Sequence, residues 1–164
     1  MIPEIKRILY TTDLSPNSAY AFRYAINSAI KHDAGIIILH VIEEMAPFFE
    51  AERLKIISEK KTTEAMNRIK KRLKVFCDKE LKDDPECADR VASIEICQGY
   101  PPEEILRKAD ELDCDVIVMG THGKGIIRHS FLGSAAQKVL RRVRKPVFIV
   151  PLPEEETEIT FHDI

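Results

Sequence analysis

Asp115 to Pro151 reads D-V-I-V-M-G-T-H-G-K-G-I-I-R-H-S-F-L-G-S-A-A-Q-K-V-L-R-R-V-R-K-P-V-F-I-V-P. Val116 to Met119 is an uninterrupted apolar run, of the length of a strand buried on both faces. It stops at Gly120, and further glycines follow at Gly123 and Gly125. After an irregular segment, Gly133-Ser134 opens a stretch in which Ala135, Ala136, Val139, Leu140 and Val143 recur at helical spacing. A strand, a glycine loop and a helix start, in that order, aim backbone N–H groups and the positive end of a helix dipole at one place. That arrangement suits a phosphate or another anion. The alternative is a βα connection whose glycines merely satisfy positive φ angles. The extra Gly133-Ser134 at the helix start favours a ligand.

Working outward, Lys6 to Tyr10 reads as a short strand feeding T-T-D-L-S, and Ser15-Pro16 starts a helix with serine as N-cap and proline in the first turn. Ala19, Phe22, Ala25, Ile26, Ala29 and Ile30 share one face of it, and Gly35 ends the connection. Ile36 to Val41 is apolar and β-branched, the composition of a central strand. Two strands joined by a helix imply a parallel βαβ unit with a right-handed crossover. From Glu43 to about Lys82, Leu54, Ile57, Met66, Ile69, Leu73 and Phe76 predict a long amphipathic helix after a loop around Pro47. Asp83-Asp84-Pro85 breaks it. Val91 to Cys97 reads as a third strand, and Pro101-Pro102-Glu103-Glu104 as a helix start with Ile105, Leu106, Ala109 and Leu112 facing inward. Val116 to Met119 is then the fourth strand and Val147 to Val150 the fifth.

Five strands alternating with four helices make an open α/β sheet, parallel, with helices on both faces. In such sheets a ligand lies beyond the carboxyl ends of the strands, where the winding reverses. A site using both Asp13, after the first strand, and Gly120, after the fourth, requires those strands to be neighbours. The order is then 3-2-1-4-5.

The glycine loop lacks the dinucleotide fingerprint, which should follow the first strand of its unit, and no Gly-Lys-Ser/Thr closes it as in a P-loop. Its spacing is Gly120, two residues, Gly123, nine residues, Gly133-Ser134. This resembles the universal stress protein family, in the branch carrying that pattern, and the resemblance runs from I-L-Y-T-T-D-L-S to K-P-V-F-I-V-P. The resemblance implies the same strand order, a Rossmann-like fold related to adenine nucleotide alpha hydrolases, and an adenine nucleotide as ligand: ATP, or AMP or ADP, with Mg²⁺. It implies that Asp13 and the backbone of Val41 hold the base, beside a wall formed by Thr11 and Thr12. It implies further that Met119, Gly120, Gly123, Gly133, Ser134 and Ala135 hold ribose and phosphates. No residue is expected to ligate metal directly; Mg²⁺ would come with the phosphates, within reach of Asp13. Thr11 stands where the family often has proline, and Ala135 where valine is common.

No catalytic residue is assigned. His122, His129 and Lys124 lie in the loop, but no second carboxylate, ordered base pair of residues or arginine finger accompanies them. Hydrolysis is expected to be weak at most. T-T-D-L-S lacks the acidic pair of a receiver domain, the S-G-G-x-D-S of an ATP pyrophosphatase and the hydroxyl-rich loop of a flavodoxin. An interaction module of the same dimeric fold that ignores nucleotide is the competing reading, and the intact glycine spacing argues against it.

A chain of 164 residues is expected to form one domain over 1–153, with an acidic tail over 154–164. A net charge of −2 gives no field for nucleic acid or membrane. The cluster Lys138, Arg141, Arg142, Arg144 and Lys145 is expected to complement a helix C-terminus. No secretory or membrane-spanning run appears, which places the protein in the cytoplasm. Cys77, Cys87, Cys97 and Cys114 form no C-x-x-C pair and read as free thiols, a Cys77–Cys87 disulfide being the alternative. As an edge strand, Val147 to Val150 would invite aggregation if bare; pairing with its own copy predicts a homodimer, as the family resemblance also implies.

Overall fold

The computed structural model describes residues 1–43, 52–121 and 133–151, with backbone alone for 16 and 52–61. The elements are β1 (Arg7–Thr11), α1 (Pro16–His32), β2 (Gly35–Glu43), α2 (Glu52–Glu80), α3 (Pro85–Ala88), β3 (Val91–Gly99), α4 (Pro101–Glu111), β4 (Val116–Gly120), α5 (Ser134–Arg142) and β5 (Val147–Val150). All strand pairs are parallel, in the order β3-β2-β1-β4-β5. The expected sheet is therefore the observed one. The short α3 is an addition, formed where Asp83-Asp84-Pro85 breaks α2.

Alternation along the strands divides the core in two. Ile8, Tyr10, Ile36, Ile38, Val116 and Val118 point to the face covered by α1 and α2, where they meet Phe22, Ala25, Leu73 and Phe76. Leu9, Ile37, Leu39, Ile117 and Met119 point to the other face, against Ile105 and Ala109 of α4 and Ala136 and Val139 of α5. Tyr10 and Phe76 each lie 5.3 Å from the Phe22 ring, so one aromatic side chain joins β1, α1 and α2. Such pairs contribute about 0.5–1.5 kcal/mol beyond their burial.

Helix α1 begins as its sequence predicts, with the Ser15 side chain accepting from Ser18 N–H. It ends differently. Asp33 takes the left-handed conformation at φ 51, its N–H returning to the last turn, and Gly35 already belongs to β2. Ile30 and Leu140, which continue the apolar spacing of their helices, are 49% and 39% exposed. Each lies about 100° around its helix from a buried neighbour, Ala29 or Val139, and so falls outside the buried stripe. At the amino ends of the strands, the Asp115 carboxylate accepts from the N–H groups of Lys6 and Arg7 at 2.7 and 2.8 Å, fastening β4 to β1. The site lies at the opposite end.

Candidate functional site

Beyond Thr11 the chain turns by using its own side chains. Thr12 N–H continues the ladder to Leu39 O, and Thr12 Oγ1 accepts from Leu14 N–H at 3.0 Å while sharing a hydrogen with Ser18 Oγ at 2.7 Å. Asp13 Oδ1 accepts from Ser15 N–H at 3.0 Å. These bonds hold Leu14 in the left-handed region, at φ 66, a conformation a branched aliphatic side chain does not adopt on its own. Nδ1 of the buried His40 lies 2.7 Å from Thr12 O. A carbonyl only accepts, so the proton is on Nδ1. Asp13 is thus a turn-forming residue and, half-buried, also part of the cleft wall.

The fourth strand ends against α1. Asn17, 2% exposed, donates from Nδ2 to Val150 O at 3.4 Å, and Thr121 Oγ1 donates to its Oδ1 at 3.5 Å. A Cβ on Gly120 would lie 2.6 Å from Asn17 Oδ1. The glycine is required by this internal contact, whatever binds above it.

Gly133 is the N-cap of α5, at φ −62 and ψ 156, and provides no side-chain cap. The sequence leads one to expect its N–H to face the ligand together with those of Ser134 and Ala135; instead it donates to Thr121 O at 2.5 Å. The N–H groups of Ser134, Ala135 and Ala136 have no acceptor within the helix, whose first bond runs from Gln137 N–H to Gly133 O. No acid stands in the first turn of α5. Helix α4, which also starts at the cleft, differs: Pro101 and Pro102 have no N–H to offer, and Glu103 and Glu104 oppose its dipole. An anion entering the cleft meets positive potential at α5 and not at α4.

A cleft of about 650 Å³ joins these parts, a size within the range of small-molecule sites. Thr11, Thr12, Asp13, Val41, Met119, Gly120, Gly133, Ser134 and Ala135 all line it. Gly123 lies outside the described residues, as do His122, Lys124 and His129. Sequence reasoning missed His40, Arg72, Tyr100, Thr121 and Lys138, which line the same cleft. The sequence groups Lys138 with the cations of the helix C-terminus, but only Arg141 and Arg142 stand in the last turn. Its position one turn after Ser134, on the same helix face, is the available signal. Nothing local marks Arg72 or Tyr100.

Among the described residues, no group of three or more His, Cys, Asp or Glu side chains could hold a metal ion. Cys77, Cys87, Cys97 and Cys114 are free thiols, so the Cys77–Cys87 alternative is not realised. Burial pushes Cys77 up to about 12, and Cys97 and Cys114 each up to about 11. No helix among the described residues is long and apolar enough to cross a membrane.

A parallel sheet of this order, with its cleft over the carboxyl ends of β1 and β4, defines an open, doubly wound, Rossmann-like α/β architecture. The sequence profile described as the universal stress protein family matches residues 4–151, and the chain belongs to that family. It is 32% identical to universal stress protein MJ0531 of Methanocaldococcus jannaschii, over 92% of this chain and 85% of that one. It is 30% identical to MJ0577 of the same organism, over 88% and 94%. The solved structure of MJ0577 superimposes with a TM-score of 0.62 at 27% identity, covering 93% of this chain and 100% of that one. A universal stress protein solved in complex with cAMP shares the fold, with a TM-score of 0.59 at 22% identity over 90% and 98%.

Proposed function

We propose that this chain binds an adenine nucleotide, ATP with Mg²⁺, in the cleft above β1 and β4, and acts as a nucleotide-dependent stress or signalling dimer with slow or no hydrolysis. The observation that carries this reading is the open amino end of α5, where Ser134, Ala135 and Ala136 present N–H groups without an acid or a side-chain cap. Phosphate binds there, with the Ser134 hydroxyl as a further donor. The base lies towards Asp13 and the Val41 backbone, beside Thr11 and Thr12, and ribose towards Met119 and Gly120. Gly123 belongs to this set by its spacing. Mg²⁺ arrives on the phosphates, with Asp13 a carboxylate in the cleft wall.

The dimer forms through the outer edge of β5 in the same reading. Phe148, 43% exposed, lies 5.9 Å from the ring of Tyr24, itself 40% exposed, so the edge carries an aromatic patch beside its open backbone groups. A second copy related by a two-fold axis satisfies both. The protein works in the cytoplasm.

The test is to purify the protein without added nucleotide, denature it and identify released small molecules by mass spectrometry, then to titrate with Mg-ATP. Recovered or titratable adenine nucleotide near one per chain supports the reading. Failure of both assigns the chain to the competing class, a dimeric interaction module indifferent to nucleotide.

A further inference from the structure

We propose that Lys138 reads the charge of the ligand's phosphate chain, its ammonium group exchanging the Tyr100 hydroxyl for a phosphate oxygen; this rests on the nucleotide reading above. Lys138 lies in the second turn of α5, four residues after Ser134 and on the same face. Helical side chains tilt towards the amino end of their helix, so Lys138 reaches back towards the N–H groups of Ser134, Ala135 and Ala136. Both Lys138 and Tyr100 line the cleft.

Several of the neighbouring cations are paired with carboxylates. Arg142 pairs with Glu103, Lys145 with Asp110, Arg107 with Glu104 and Glu111, and Lys108 with Glu111. Among the described residues, Lys138 is in no ion pair; its Nζ donates to the Tyr100 hydroxyl and lies 5.0 Å from the centre of that ring. A phenol is a neutral acceptor. A phosphate oxygen is charged and makes the stronger bond with an ammonium donor, so an anion at the α5 amino end draws Lys138 from Tyr100. The helix end supplies only partial positive charge, whereas Lys138 adds a full one. Its contribution therefore grows with the charge of the ligand, favouring ATP over AMP.

Binding of AMP and ATP is measured by calorimetry for the wild type, Lys138→Gln, Lys138→Arg and Tyr100→Phe. Lys138 and Tyr100 are exposed, so the folds of these variants are expected to be intact, which thermal melts check. The wild type is expected to prefer ATP. Lys138→Gln is expected to lose roughly tenfold in ATP affinity and less than about twofold in AMP affinity, with Lys138→Arg near wild type. Tyr100→Phe, which keeps the ring and removes the competing hydroxyl, is expected to retain or raise ATP affinity. Equal losses for both nucleotides, no loss, or no wild-type preference for ATP would overturn the inference, as would a loss in Tyr100→Phe matching that of Lys138→Gln. A wild type that binds neither nucleotide would instead remove the reading on which it rests.

Discussion

The Asn17 amide occupies the space that a side chain on Gly120 would need: a Cβ there falls 2.6 Å from Asn17 Oδ1 and 2.9 Å from Asn17 Cγ. Asn17 is in the first turn of α1 and Gly120 ends β4, so the contact closes the first half of the sheet against the second. It also reaches β5 through Val150 O. The first glycine of the loop therefore has a packing role independent of any ligand.

Gly120→Ala is expected to destabilise the fold by about 1–3 kcal/mol, because Asn17 is buried and cannot move without losing its partners. Asn17→Ala in the same chain should recover part of that loss. A double-mutant cycle from urea melts measures the coupling, and strict additivity would mean that the two residues do not compete for this space.

Gly133→Val should behave differently. At φ −62 the backbone of Gly133 accepts any side chain, so the melting temperature is expected to stay within a few degrees of wild type. Nucleotide affinity should fall by more than about tenfold, roughly the loss of 1.4 kcal/mol or more, if the phosphate approaches Gly133 as proposed and meets a branched side chain there. Calorimetry with Mg-ATP decides it, and unchanged affinity would place the phosphate elsewhere.

Stability should fall on both sides of neutrality. Burial by itself raises Asp115, but the N–H groups of Lys6 and Arg7 outweigh it and hold the carboxyl below its ordinary value. Arg107 lowers Glu104 and Arg90 lowers Asp33 in the same direction. A depressed carboxyl stabilises the fold above its unfolded value, about pH 4, and that stability is lost as pH falls through the folded value. The thiols give the alkaline limb. In the unfolded chain they ionise at about 8.5, whereas burial holds Cys97 and Cys114 at about 11 and Cys77 at about 12. The unfolded state then binds fewer protons, so stability declines from about pH 8.5 upward. Urea midpoints at pH 3, 7 and 10 test both limbs. Asp115→Ala should flatten the acid limb and cost about 1–3 kcal/mol at neutral pH, without changing nucleotide affinity.

Phe148→Asp is expected to convert a dimer to a monomer, since it places a charge on the aromatic patch that Tyr24 shares with the β5 edge. Light scattering at micromolar concentration reads the mass. A monomeric wild type would remove the edge-pairing proposal.

The alternation of strands and helices is legible along the chain, because apolar periodicity and the helix-start residues Ser15-Pro16 and Gly133-Ser134 are local signals. Composition made the strands central, while the strand order and nine of the cleft residues came from placing one site across Asp13 and Gly120 and from the resemblance to the universal stress protein family. Tertiary structure decided what local signals do not contain. Gly120 needs its missing side chain because Asn17, far away in sequence, packs against it; the N–H of Gly133 is spent on Thr121 rather than turned to the cleft. Ile30 and Leu140 continue apolar stripes yet stay exposed, each a residue beyond the last buried position of its helix face. Lys138 reads as one more cation in a basic helix until α4 brings Tyr100 beside it. Periodicity reports which face of an element is buried, but the partner across that face is set by the packing of segments distant along the chain.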